Sequence, residues 1–138
     1  KVLTAEISGI APALTTALAL DVPLLYARKT KPVTMTEPVY VEAAPSHTKG
    51  VAVFLMCSPE FLTPEDRILI IDDFLASGQT INALVRMVRH AEATLVGIGA
   101  LIEKSFEGGR AALEPLGIPL HALVAIDKMT DDQLVFAD

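Results

Sequence analysis

Four consecutive branched aliphatic residues, Ile68-Leu69-Ile70-Ile71, run straight into two carboxylates, Asp72-Asp73, and then into a small-residue turn, Ala76-Ser77-Gly78-Gln79-Thr80. An apolar run without alternation implies a strand buried on both faces, as in a parallel sheet covered by helices. Open sheets of that kind place their ligands beyond the carboxyl ends of the strands, which is where the two acids fall. A turn of small residues that opens a helix aims several backbone N–H groups at one spot, and the helix dipole adds positive potential there. The hydroxyls of Ser77 and Thr80 supply further donors. These groups suit a phosphate monoester, whereas the adjacent acids suit sugar hydroxyls or a hydrated Mg²⁺. Paired acids alone often only cap a helix, and a Ser-Gly turn alone is common. The order in which they follow one another carries the reading.

Around this segment, strand and helix patterns alternate. Val2–Glu6 reads as a short strand, Ala11–Leu20 as a helix with Pro12 in its first turn, and Leu24–Ala27 as a second strand. The polar stretch Val33–Gly50 fits either a hairpin with a mobile tip or a long loop. Val51–Cys57 is an apolar strand, Pro59–Glu65 a connector, and Arg67–Ile71 the strand described above. A helix over Thr80–His90 follows, with Leu84, Val85 and Val88 on its apolar face. Leu95–Ile102 and Leu120–Ile126 are further strands, Gly109–Leu116 a helix closed by Gly117, and Leu134–Phe136 an edge strand. The expected fold class is α/β: a doubly wound, mostly parallel sheet with helices on both faces.

Composition narrows the partners. A length of 138 residues is enough for one core, so residues 1–138 are expected to form a single domain. A net charge of −6 argues against nucleic acid, where a basic stripe is expected. No apolar run approaches the ~20 residues that span a bilayer, and no secretory signal opens the chain. Cys57 is the single cysteine, cannot form an internal disulfide, and fits a reducing cytoplasm. Lys1 stands directly against the first strand. Residues before it are therefore expected to be missing.

Ile68–Thr80 resembles the PRPP-binding motif of the type I phosphoribosyltransferases, which join a nucleobase to the ribose 5-phosphate of 5-phosphoribosyl 1-pyrophosphate (PRPP). The resemblance implies that Asp72 and Asp73 hold the ribose hydroxyls and Mg²⁺, directly or through water. It likewise implies that Ala76, Ser77, Gly78, Gln79 and Thr80 cradle the 5-phosphate. Glu6–Pro12 is similar to the family's pyrophosphate loop, in which Ser8 and Gly9 would contact PRPP and a non-proline cis peptide is expected; Ile7 stands where a small polar residue is the rule. Arg28, Lys29 and Lys31 resemble the basic cluster that reaches pyrophosphate, although taken alone they read as a solvated turn. Residues 33–50 match the flexible flap, with Lys49 as the flap's catalytic contact to the leaving group and His47 as a weaker donor candidate.

The segment Ile102-Glu103-Lys104-Ser105-Phe106, with Gly109-Arg110, is similar to xanthine-using members of the family. There Lys104 would face the oxo groups of the purine, since an ammonium suits carbonyl acceptors and repels the amino group of adenine. Lys104 can instead be a surface residue paired with Glu103 or Glu107. Phe106 can stack on the base or fill core. The subfamily's N-terminal hood over the base is expected to be absent. The implied reaction is purine salvage, with PRPP as co-substrate and a homodimer as the family's usual assembly. The alternatives are a PRPP-sensing regulator without catalysis, or an enzyme using adenine, hypoxanthine or guanine.

Overall fold

The structure, a computed structural model, describes residues 1–45 and 53–137. Its main sheet has the strand order β2-β1-β5-β6-β7-β8. The strands are β1 (Val2–Ala5), β2 (Leu24–Ala27), β5 (Arg67–Leu75), β6 (Thr94–Lys104), β7 (Leu120–Met129) and β8 (Leu134–Phe136). All pairings are parallel except β7 with β8. The helices are α1 (Ile10–Leu20), α2 (Gln79–His90) and the short α3 (Gly109–Leu113). The stretch left open between hairpin and loop supplies one strand, β3 (Tyr40–Ala44), which pairs antiparallel with β4 (Val53–Cys57), inside the strand expected over Val51–Cys57. In β3 the solvent-facing residues, Val41 and Ala43, are apolar while Glu42 between them is half-buried, the reverse of the usual alternation, which is why the sequence pattern did not decide it. The hairpin joins the main sheet through reciprocal backbone hydrogen bonds of 2.8 Å between Arg28 and Met56.

Successive side chains of a strand point to opposite faces, and β1 shows the consequence. Val2 packs with Ala13 and Ala17 of α1, whereas Leu3 joins the larger core with Ile81, Leu84, Val85 and Val88 of α2. Ile68 and Ile70 of β5 are fully buried in that larger core, while Leu69 and Ile71 lean toward the α1 side. A side chain of this kind, fully buried, contributes about 1.5–3 kcal/mol. The doubly wound expectation is met, with helices on both faces.

Several boundaries differ from expectation, three of them beside the crevice. β5 continues past Ile71 to Leu75 because its pairing with β6 continues, Phe74 opposite Ile102 and Leu75 opposite Glu103. β6 likewise extends to Lys104, opposite Ile126. The helix expected over Gly109–Leu116 stops at Leu113 and tightens into a 3₁₀ turn, Glu114–Leu116. Pro115 has no N–H to continue the α-helical ladder. Cys57 is buried and burial pushes its thiol up to about 11, so it stays protonated as a packing residue. No helix among the described residues is long and apolar enough to cross a membrane.

β1 lies between β2 and β5. From β1 the chain winds one way to β2, and from β5 the other way to β6 and β7. The strand order therefore reverses between β1 and β5, and a crevice opens beyond their carboxyl ends.

Candidate functional site

The crevice gathers the two turns singled out from the sequence. After β1, the Glu6–Ile7 peptide is cis, as the resemblance implied. Ser8 is exposed, and Gly9 is buried against the strand beside it. A Cβ on Gly9 would lie 2.2 Å from Thr4 Oγ1 and 2.7 Å from Asp72 Oδ1, a separation no side chain can occupy. Close approach thus requires glycine here. It brings the first turn into direct contact with the acid pair on β5.

Asp72 is buried, and Asp73 is half-buried beside it. Burial, reinforced by the neighbouring Asp73 carboxyl, pushes the Asp72 carboxyl up to about 7; its hydrogen bond from the Asp73 N–H and the charge of Lys29 oppose the shift. Desolvation disfavours the ionised form, and a hydroxyl donor or cation arriving at Asp72 would offset that cost. Two adjacent carboxylates fit a Mg²⁺ ion, which takes oxygen ligands and keeps several of its waters. Among the described residues no group of three or more His, Cys, Asp or Glu could hold a metal alone. Waters or ligand oxygens would have to complete its shell.

Beyond β5, Ala76-Ser77-Gly78 turns into α2. Gly78 adopts φ 78°, a left-handed conformation that side chains resist. Among the described residues no side chain caps α2, so its first N–H groups suit an anion. Pro45, Phe74, Ala76, Ser77, Gly78, Gln79, Thr80 and Ile81 line a cavity of about 150 Å³ here. The five residues expected to cradle a phosphate all line it. Lys29 and Thr80 both line a cavity of about 140 Å³ on the side of Ala44 and Leu55.

The basic cluster divides. Lys29 is exposed and close enough to Asp72 to influence its charge. The Arg28 Nε atom lies 3.7 Å from Glu6 Oε2. Lys31 instead forms an ion pair with Glu37. Glu6 was not singled out from the sequence. It accepts the Lys29 backbone N–H at 2.5 Å and so ties the basic cluster to the cis turn. An acid flanked by a glycine turn and a basic turn was the available signal. Lys49, together with Ser46, His47 and Thr48, lies outside the described residues.

On the far side of the acid pair, β6 delivers Lys104. Its ammonium lies 3.3 Å from Glu107 Oε1 and 5.6 Å from the centre of the Phe74 ring. Both Phe74 and Phe106 are exposed, so neither fills core. Phe74, which the sequence reading passed over, is therefore an aromatic surface under a cation, next to the acids and the phosphate turn. Thr4 was also missed: it is fully buried, and its hydroxyl has no hydrogen-bond partner among the described residues.

The phosphoribosyl transferase domain family model matches residues 2–111. The chain is 52% identical over 131 residues to the xanthine phosphoribosyltransferase of Deinococcus deserti, covering 95% of this chain and 68% of that protein. It is 46% identical over all 138 residues to the xanthine phosphoribosyltransferase of Streptococcus pneumoniae strain Hungary19A-6, spanning 72% of that protein. The crystal structure of adenine phosphoribosyltransferase from Rhodothermus marinus superposes with a TM-score of 0.78 at 27% identity, over 91% of this chain and 68% of that one. In Giardia lamblia, the corresponding enzyme complexed with 9-deazaadenine gives a TM-score of 0.79 at 21% identity, which speaks to the fold alone. A domain match over most of the chain, and relatives this similar along nearly all of it, place the protein in the phosphoribosyltransferase family of enzymes.

Proposed function

We propose that this protein transfers ribose 5-phosphate from PRPP to xanthine and releases pyrophosphate. The observation that carries the choice of base is Lys104, poised over Phe74 beside the acid pair. An ammonium there donates to the oxo oxygens of xanthine and disfavours the amino group of adenine. The names of the relatives, xanthine phosphoribosyltransferases at 52% and 46% identity, support the same base.

In this reading the first turn of α2 and the Ser77 and Thr80 hydroxyls hold the 5-phosphate. Asp72 and Asp73 accept the ribose hydroxyls. The Ser8–Gly9 turn, Arg28 and Lys29 receive the pyrophosphate, with Lys31 reaching it after leaving Glu37. The bond from ribose C1 to pyrophosphate breaks with its electron pair leaving on pyrophosphate, so C1 gains oxocarbenium character. A purine nitrogen then bonds to C1 and loses its proton to solvent. Mg²⁺ at Asp72 and Asp73 would supply positive charge against the departing pyrophosphate. No side chain acts as a nucleophile; positioning and charge stabilisation do the work. Residues 33–50 act as a flap that excludes water, with Lys49 meeting the leaving group. The working assembly is a cytoplasmic homodimer of one core domain per chain.

The test is nucleotide formation with PRPP and Mg²⁺, offering xanthine, guanine, hypoxanthine and adenine in turn. Preferred turnover of xanthine is expected. Saturable PRPP binding with no turnover of any base would instead identify a PRPP sensor, and preference for adenine would remove Lys104 from the base.

A further inference from the structure

Glu103 is a carboxylate 3% exposed at the end of an apolar strand, a position that is costly unless the charge is met. Arg110, in the first turn of α3, meets it. Arg110 Nε donates to the two carboxylate oxygens at 2.8 and 3.0 Å, and Nη2 donates to Oε2 at 2.5 Å. Nη1 also donates to the Leu120 carbonyl on β7 at 3.2 Å. The pair is engaged with itself and with the sheet. It closes the loop of residues 104–109, which carries Lys104, Phe106 and Glu107.

That loop has a second fixed point. The Gly109 N–H donates to the Ala76 carbonyl at 3.0 Å. A Cβ on Gly109 would lie 2.2 Å from that oxygen and 2.9 Å from the Gly78 nitrogen, so the loop rests directly on the phosphate turn. Within the loop, Glu107 holds the Lys104 ammonium at 3.3 Å. A lysine on a flexible four-carbon stem is placed only as well as its neighbours place it. Those neighbours are placed by the ion pair and the glycine contact.

We propose that Glu103 and Arg110 are positioning residues for the purine, seating the 104–109 loop on the phosphate turn so that Lys104 meets the base. The proposal rests on the reading of Lys104 as a base contact. Glu103→Gln, which removes the charge and keeps the size, is expected to raise the KM for xanthine about 10- to 100-fold. The KM for PRPP should stay within about twofold, because the acids and the phosphate turn are untouched. Arg110→Lys should lose less than Arg110→Met, since it keeps the charge without the planar fork. The double variant Glu103→Leu/Arg110→Met guards against misfolding, because it leaves no unpaired charge at the buried Glu103 position while Arg110 is half exposed. It should show the same selective rise in the KM for xanthine. Equal rises for xanthine and PRPP, or no change in either, would make the pair an ordinary stabilising contact and overturn the proposal. Lys104→Ala, assayed alongside, separates the two claims. An unchanged KM for xanthine in that variant removes Lys104 from the base even if the Glu103 variants behave as expected. If the unaltered protein turns over no base, the function and this proposal fall together.

Discussion

The two halves of the crevice are built from different materials. On the proposed ribose-phosphate side, main chain and glycine work beside the acid pair and the Ser77 and Thr80 hydroxyls: the first N–H groups of α2, the φ of Gly78, and Gly9 pressed against Thr4 and Asp72. On the proposed base side the groups are side chains, the half-buried Lys104 and the exposed Phe74 and Phe106, beside the ion pair of Glu103 and Arg110. Main-chain donors cannot be exchanged by substitution, so the first half suits a part of the substrate that never changes. Side chains can be exchanged singly, so the second half suits the part that distinguishes one substrate from another.

The strongest way to break this comparison is at a glycine. Gly9→Ala should cost about 100-fold or more in kcat/KM for PRPP, because the new methyl must displace the turn or Asp72. A circular dichroism spectrum like that of the unaltered protein would place the damage in the site. Activity near normal would mean the turn is not held as tightly as its contacts imply. Next, Lys104→Ala should raise the KM for xanthine about tenfold or more, the scale of a charge-assisted hydrogen bond, while PRPP is little affected. A parallel loss for PRPP would erase the division between the halves.

Lys29→Ala should weaken PRPP by about tenfold, and Lys31→Ala by about twofold, since exposed ion pairs are worth little and Lys31 is already engaged with Glu37. Isothermal titration with PRPP measures both. The reverse order would show that Lys31 leaves Glu37 to do most of the work.

The last effect is a pH dependence. Asp72 ionises near its ordinary value of 3.8 when unfolded and at about 7 when folded. Between those values the folded state binds more protons, so this group's contribution makes the ligand-free protein less stable as pH rises from about 4 to about 7, and level above that. Urea unfolding at pH 5 and pH 8 should show the loss, and Asp72→Asn should reduce it. PRPP affinity should move the opposite way, weakening as pH falls through about 7, because hydroxyl acceptance needs the ionised carboxylate. A pH-independent difference between the variant and the original protein would remove Asp72 from both effects.

The ribose-phosphate half was far more legible in the sequence than the base half. Ile68–Thr80 spells out a buried strand, its acids and a helix start within thirteen neighbouring positions, and short-range rules suffice for each. Lys104 was singled out, but its surroundings were open: Glu103 and Glu107 were equal partners for it, and Phe106 could stack or fill core. Folding assigned Glu103 to Arg110, Glu107 to Lys104, and left Phe106 and Phe74 exposed. Glu103 was read as lying just past the strand, and nothing local said that β6 would carry it inward to meet Arg110.

By itself, then, the sequence determined the order of strands and helices, the acid pair and the phosphate turn, because strand periodicity and helix capping act over a few residues. Tertiary structure alone decided that Gly9 abuts Asp72, that Gly109 seats against Ala76, and that Arg110 closes on Glu103. Each of these contacts depends on the strand order β2-β1-β5-β6-β7 and on close packing between elements, which bring together groups that no local pattern relates.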